Sequence, residues 1–586
     1  MDTGPLFKTH LMKNKGAYML GVALLSISCL MSLVIPKVLE WYTNGLQEKS
    51  LVAADNLRFA FWIIAIGLGV AFFRATSRIY MFKLSRTLEK QIRNRLFKKW
   101  EGLSASYYNK HRIGDLMSHA VNDLNVIREV SFHGVFLTVE AFVMIGVTMA
   151  AMGATVSLPL TLLVLLPLPA LTYIAYKFRF EIQTRATRVQ EAISRITSRV
   201  QEFAAGIRIV KTYVQELEEI RKFTEDNENN VDAQKKLIQS NSMFTSLSQG
   251  IVGLSYLISV VFGGYLVLNS TITLGEFVAF NTYLTMLIQP VENLGRVINV
   301  LQRGVAADIR LRKVLSTQPE VKDEDDVQSI KSISGHIQVK NLTFTYPGSR
   351  KPALEDIHFE VPAGTSLAIF GRVGSGKTTL AHLLLRMYNP PRGTMHIDGR
   401  DIFEIPLQTL RGSIGYVPQE HFLFSTSIQE NIAFDPSKSY SDEEVHQAAK
   451  MAQVYDNIVE FPHQFQTELG ERGMSLSGGQ RQRVSIARAL IKKPSILIFD
   501  DSLSAVDTET EAKILAELKK EMQGRTTIII SHRISTIQHA DQIIVLDEGR
   551  IVERGDHASL VKRGGIYAKM HYHQLMNQRM EEGVGE

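Results

Sequence analysis

The stretch Gly371-Arg372-Val373-Gly374-Ser375-Gly376-Lys377-Thr378 fits the pattern G-x-x-x-x-G-K-[ST]. Before it, Ser366–Phe370 is a short apolar run suited to a buried strand; after it, Thr379–Leu385 opens an amphipathic helix. Glycines let the backbone turn its N–H groups inward around the β- and γ-phosphates of a nucleotide, and the new helix aims its positive end at the same place. Lys377 would reach the phosphate oxygens as a point charge, the Thr378 hydroxyl would ligate Mg²⁺, and Thr379 beside it would belong to the nucleotide-binding residues. A glycine-rich surface turn is the competing reading, and the strand and helix context weighs against it.

Further along, Ser495–Phe499 is an apolar strand ending in Asp500, an acid placed to order Mg²⁺, and Asp501 follows directly. In a nucleotide hydrolase that second acid would polarise the attacking water, a task that depends on reach as much as on acidity. Between the loop and these acids, Leu476-Ser477-Gly478-Gly479-Gln480 precedes the helix-like Arg481–Ala489. A serine and two glycines at a helix start offer backbone donors and a positive helix end, hence a second phosphate-binding surface. Two such surfaces on one domain suggest nucleotide sandwiched between domains. Tyr346 precedes the phosphate loop, close enough in such a fold for its ring to stack on a base, although a lone aromatic is more often core.

The elements around these residues divide the 586-residue chain into unlike parts. Ala17–Pro36, Phe59–Phe73, Ala141–Tyr176 (two crossings with a tight turn near Gly153), Leu237–Gly275 and Phe277–Val291 are nearly free of charge, which predicts six membrane spans over residues 1–303. No cleavable signal is expected, because the first apolar run is full length. Two polar segments of about equal length, 74–133 and 177–236, separate the spans and read as helical; Leu84, Leu88, Ile92 and Leu96 recur every four residues. The first is rich in Arg and Lys, so it lies in the cytosol, and the amino terminus and the carboxy-terminal domain fall on the same side. Single basic residues there read as a solvated face or a lipid-headgroup collar. At the centres of the excursions, Ser104–Lys110 with Gly114-Asp115-Leu116, and Ala205–Arg208 with Lys211-Thr212-Tyr213, are candidate contact points with a cytosolic domain. Residues 304–335, with the acidic Asp323-Glu324-Asp325-Asp326, read as a solvated linker, and strand-like alternation begins at His336 to open a domain over 336–586.

The net charge of +6 is modest, and no basic block with interleaved aromatics points to nucleic acid. Cys29 is the single cysteine and lies in an apolar run, which excludes a disulfide framework, a cysteine metal site and a cysteine protease. Glu140 sits among apolar residues, where an ionisable group faces a cavity or a partner; it would suit a cationic substrate or a structural pair equally. Phe142, Met144, Met149, Tyr256, Phe262, Tyr283 and Met286 would offer adaptable apolar surface, or simply pack helices.

Taken together, the ordered motifs resemble an ATP-binding cassette half-transporter of the exporter type, over nearly the whole chain. Gly371–Thr378 resembles Walker A, Asp500 the Walker B acid, Gln419 in Tyr416-Val417-Pro418-Gln419 the Q-loop and Glu468–Gly473 the exporter segment before the signature. Leu476–Gln480 matches the signature, Ser504-Ala505-Val506-Asp507 resembles the D-loop, His532 the switch histidine and Tyr346 the aromatic A-loop. The resemblance implies a helical six-span transmembrane domain followed by an α/β P-loop nucleotide-binding domain, with ATP and Mg²⁺ as ligands. It implies catalytic roles for Asp501, His532 and Gln419, Mg²⁺ contacts from Thr378, Gln419 and Asp500, and ATP held between one Walker A and the opposite chain's Ser477–Gln480. The matched excursions would then carry closure of the cassettes to the membrane domain.

One position departs from the family pattern: efficient hydrolases place glutamate where this chain has Asp501. The carboxylate is one methylene shorter, and a displacement of about 1 Å can slow a catalytic step on the order of 100-fold. The resemblance is greatest to the BmrC-type subunit of bacterial heterodimeric multidrug exporters. It implies a heterodimer in a bacterial plasma membrane, among lipids, that exports amphipathic compounds; this chain's own ATP site would be weak and its signature would complete the partner's competent site. A homodimeric exporter, a lipid flippase and a regulatory or channel-like subunit that binds ATP without obligatory transport share the same motifs.

Overall fold

The computed structural model describes residues 6–324, 327, 330, 332–435, 438–470, 473, 476–502 and 523–583. They fall into two compact units: Met1–Lys99 with Gly114–Thr317, and Trp100–Ile113 with Gln318–Glu586.

Among the described residues, the first unit is built from six long helical rods. Four stretches, Lys15–Gln47, Ala54–Glu101, Ile113–Leu165 and Glu216–Leu268, are helical, long and apolar enough to cross a bilayer on length and composition alone. The third contains a break at Ser157, whose extended backbone (φ −162°, ψ 119°) ends one rod and whose side chain caps the next at Leu160 N–H. That next rod, Leu158–Leu165 continued by Leu168–Ala205, bends at Leu166-Pro167, where proline interrupts the helical hydrogen bonds. It runs antiparallel to Glu216–Ile258, joined by Phe178 on Phe244 (6.0 Å) and Arg199 to Asp226 (2.9 Å). The sixth rod is Leu274–Ser316, its start closed by a reciprocal Thr273/Glu276 capping box.

The second rod shows why charge-poor and basic sequence share one helix. Ala53–Glu101 has 49 residues, about 74 Å at 1.5 Å per residue, against about 30 Å of hydrocarbon. Its inward stripe continues past the apolar run: Leu88, Ile92 and Leu96 are buried, as their four-residue spacing requires. Buried Glu89 is satisfied by Arg86, Arg93 and Arg128, and Asp123 by Arg310 and His119. Asp123 lies in His119–Asp123, one of four π-helical turns among the described residues. Glu140 is paired with Arg74, so the structural reading of this carboxylate is the one with an observed partner.

Two features of the linker differ from expectation. Residues 304–316 continue the sixth rod, because their charges are paired within helices: Asp308 with Arg312, and Arg310 with Asp123. The acidic stretch is docked, with Asp323 accepting from Leu407 N–H (2.9 Å) and Glu324 paired with Arg392; Asp325 and Asp326 lie outside the described residues.

Among the described residues, the second unit holds two sheets. β1 (Ile337–Phe344), β2 (Leu354–Val361), β4 (Met395–Ile397) and β5 (Arg400–Asp401) form an antiparallel sheet in the order β2-β1-β4-β5. β3 (Ser366–Gly371), β6 (Ile414–Val417), β7 (Ile496–Asp500), β8 (Thr526–Ser531), β9 (Gln542–Asp547) and β10 (Arg550–Gly555) make the other, in the order β10-β9-β3-β8-β7-β6. It is parallel except for β9–β10. Alternate residues feed opposite cores: Leu367, Ile369, Ile496 and Ile498 on one face, Ala368, Phe370, Leu497 and Phe499 on the other. Burial of both faces is what makes these strands read as unbroken apolar runs.

Candidate nucleotide site

The strand register collects the chemistry at one edge of the parallel sheet. β3 and β8 pair with Phe370 opposite Ser531, and β7 and β8 with Asp500 opposite Ile530. Gly371, Asp500-Asp501 and His532 therefore leave the carboxyl ends of three adjacent strands, where open α/β sheets form their ligand crevice.

The loop from β3 is shaped by glycine. Gly371 passes so close to β9 that an added Cβ would lie 2.2 Å from Leu546 O, and Gly376 has φ +101° with a Cβ position 2.7 Å from Ala353 O. Larger residues fit neither place. The loop leads into the helix Lys377–Leu384. Arg372, Val373 and Gly374 are exposed at its crest, and buried Ser375 Oγ has no hydrogen-bond partner among the described residues. Lys377 Nζ folds over the loop and donates to Gly371 O (2.9 Å) and Arg372 O (2.8 Å). Burial pulls its pKa down, while Asp501 and Asp500 oppose that shift.

Asp500 is buried at the end of β7 and accepts from Thr378 Oγ1 (3.1 Å) and Tyr416 Oη (3.4 Å). Burial pushes its carboxyl up; the two hydroxyls pull it down, with Asp501 raising it and Lys377 lowering it. Burial and the Asp500 carboxylate push the Tyr416 phenol well above its usual range, so it stays a donor. Asp501 has φ +47°, a conformation aspartate tolerates better than most residues, and its N–H donates to Ile530 O (2.8 Å). Its Oδ1 lies 2.8 Å from His532 Nδ1, in hydrogen-bonding contact. Gln419 stands exposed in the bend after β6, at the same sheet edge.

Tyr346 hydrogen-bonds Thr379 Oγ1 through its hydroxyl (3.1 Å), and its ring meets Tyr388 edge-on (5.0 Å, 88°). Tyr388 Oη accepts from Asn109 Nδ2 (2.6 Å), in the short helix Ala105–Lys110 that packs with this unit. The first excursion's expected contact point thus bears on the nucleotide unit, whereas Ile209 and Tyr213 at the second tip are exposed. Ser477 caps the helix Gly478–Ile491 in a capping box with Gln480, leaving Ser477 and Gly478 exposed at its positive end. Among the described residues, Ser477–Gln480 make no hydrogen bond to the phosphate loop. Ser504–Asp507, Glu471 and Arg472 lie outside the described residues.

The donors suit a polyphosphate with a divalent cation: a hydroxyl and a carboxylate are hard oxygen ligands, and a glycine-rich turn into a helix start is a phosphate-binding shape. No group of three His, Cys, Asp or Glu capable of holding a metal occurs among the described residues. Sequence reasoning left Tyr416 and Tyr388 without roles. Tyr416 carried a signal, since its strand leads into Gln419 beside the strand of Asp500. Tyr388 carried none, because its contacts come from remote segments. Tyr283, grouped with the adaptable surface residues, is buried and donates to Leu33 O (3.1 Å).

Comparison with known proteins adds the relatives. Residues 18–291 match the ABC transporter transmembrane region and residues 354–504 the ABC transporter domain. The chain is 36% identical to the probable multidrug resistance ABC transporter ATP-binding/permease protein YheI of Bacillus subtilis, over 99% of this chain and 98% of that protein. It is 36% identical to the ATP-dependent lipid A-core flippase of Syntrophus aciditrophicus (88% and 85% covered) and 33% identical to the multidrug resistance-like ATP-binding protein MdlA of Escherichia coli (96% and 95%). Among solved structures, a bacterial Atm1-family ABC exporter with ATP bound aligns at TM-score 0.79 and 28% identity, covering 96% of this chain and 98% of that one. With six helical rods in one unit, a P-loop sheet in the other and these relatives over its full length, the chain belongs to the ABC transporter family, as an exporter that carries its transmembrane and ATP-binding domains in one polypeptide.

Proposed function

We propose that this chain is one half of an ATP-driven exporter of amphipathic compounds, paired with a second half-transporter of different sequence. Its phosphate loop and Asp500-Asp501 form a slow ATP site, and its Ser477–Gln480 complete the faster site of the partner. The observation that carries this reading is Asp501: a carboxylate one methylene short, in a left-handed backbone conformation and in contact with His532. The signature Leu476–Gln480 is intact in sequence, so the two sites of a heterodimer would be unequal. The multidrug names of YheI and MdlA support the substrate class. The chain would sit in a bacterial plasma membrane with its amino terminus, linker and nucleotide domain (336–586) in the cytosol.

Bound together, ATP and Mg²⁺ supply a transferable γ-phosphoryl group whose charge the metal partly neutralises. Lys377 exchanges its two loop carbonyls for phosphate oxygens; Thr378, Gln419 and Asp500 orient the cation; Asp501 orients water, and His532 holds Asp501. Tyr346 offers its ring to the base while its hydroxyl steadies Thr379. Loss of base stacking costs about 1–3 kcal/mol, so Tyr346→Ala is expected to weaken ATP binding about 10-fold and Tyr346→Phe less than threefold, read by titration with a fluorescent ATP analogue. Equal affinities for both variants would remove the stacking role.

The main test is purification of the chain alone and with its partner, followed by ATP-dependent dye efflux from vesicles. Efflux that requires both chains is expected. Vigorous hydrolysis by this chain alone, abolished by Asp501→Asn, would sink the heterodimer. The similarity to lipid A-core flippases favours a second reading, lipid translocation, which predicts ATPase stimulation by lipid without drug.

A further inference from the structure

The loop that carries His532 is held from the far end of the chain. The helix Ile566–Gly583 begins at Glu553 of β10, a buried carboxylate that accepts from the N–H groups of Ile566 and of Tyr567 (3.2 Å) and so caps the helix with negative charge. Tyr567 is fully buried; its ring stands edge-on to Phe370 (5.4 Å, 71°), the residue before Gly371, and its hydroxyl meets His557 Nδ1 at 2.8 Å. Met570 packs into the same core. The helix is thus fixed beside the strand that feeds the phosphate loop.

Two turns beyond Tyr567, and so on the same helix face, stands Gln574. Its Oε1 accepts from Ile534 N–H (2.9 Å) and its Nε2 donates to His532 O (2.7 Å). The carboxamide spans the turn His532-Arg533-Ile534 from both sides. Ile534 opens the short helix Ile534–Ile537, whose first N–H groups lack intrahelical acceptors, and Arg533 at the cap position supplies no side-chain cap. Gln574 takes that capping role from forty residues away in sequence. A carboxamide side chain offers donor and acceptor in one rigid plane, so glutamine suits both backbone groups at once.

We propose that Gln574 is a positioning residue for His532, and that the C-terminal helix is a strut tying the switch loop to the strand of the phosphate loop. The inference rests on the reading of His532 as part of the ATP site. It makes the distance between Asp501 and His532 a property of the last helix as well as of the sheet.

The test uses the full-length chain in the assembled transporter, with the partner's own catalytic carboxylate neutralised so that turnover reports this chain's site. Without nucleotide, amide exchange at Ile534 is expected to accelerate at least 10-fold in Gln574→Ala and less than threefold in Gln574→Glu, which keeps the acceptor. With Mg-ATP, both variants are expected to lose about 10-fold in kcat with KM within twofold, because each has lost the donor to His532 O. That loss should vanish when Gln574→Ala is placed on a His532→Ala background. Unchanged exchange at Ile534 in Gln574→Ala, or an equal loss of turnover on the His532→Ala background, would overturn the proposal. A chain that neither binds nor hydrolyses ATP, yet shows the exchange difference, would retain the strut and overturn the ATP reading alone.

Discussion

Lys377→Ala is expected to weaken ATP binding to this chain's site at least 100-fold. The ammonium is half-buried over its own loop, and its two bonds to Gly371 O and Arg372 O are what it gives up for phosphate. Charge-assisted contacts that leave a buried charge unpaired when broken are worth roughly 3–5 kcal/mol, and about 1.4 kcal/mol is tenfold. Desolvation already disfavours the charged amine here, so an anionic ligand restores what burial costs. Equilibrium binding of a fluorescent ATP analogue to the purified chain measures the effect. Affinity within threefold of wild type would mean that Lys377 does not face the phosphates. Because the lysine also tethers the loop, thermal unfolding without nucleotide serves as the control and should shift by only a few degrees.

The second large effect is a gain. Asp501→Glu is expected to raise turnover at this chain's own site 10- to 100-fold with KM unchanged. The added methylene restores reach, and about 1 Å of reach is worth on the order of 100-fold in a catalytic step. An opposing term comes from the backbone: at φ +47° glutamate is less well accommodated than aspartate, at a cost of about 1 kcal/mol in stability. That cost falls on folding and leaves the sign of the kinetic change intact. The longer side chain must also re-form its contact with His532 Nδ1, now 2.8 Å away. Single-site turnover in an assembly with a disabled partner decides the matter. A rate equal to or below wild type would show that some other feature limits this site.

Much of this architecture was legible because its causes are local. Charge-free runs long enough for a bilayer mark the spans, and the glycines and Lys377 mark the phosphate loop. Asp500 and Asp501 were readable as a strand end because Ile496–Phe499 are apolar at every position. The interruption expected near Gly153 lies at Ser157, since Pro159 and the Ser157 cap favour a helix start there. What was not legible depends on remote partners. Asp308, Arg310 and Arg312 look like linker charges until Asp123 and the i,i+4 pairing are seen. Glu140 has no sequence neighbour that announces Arg74. The left-handed Asp501 and the carboxamide of Gln574 acquire meaning only beside Ile530 and His532.

The continuity of Ala53–Glu101 has a mechanical side. A single helix of 49 residues, mostly without proline or glycine, is a lever arm: a tilt of about 5° around its midpoint swings each end by about 3 Å. Leverage of that size needs no bending and no local melting. A displacement imposed at one end is therefore delivered to the other, and the reverse holds equally.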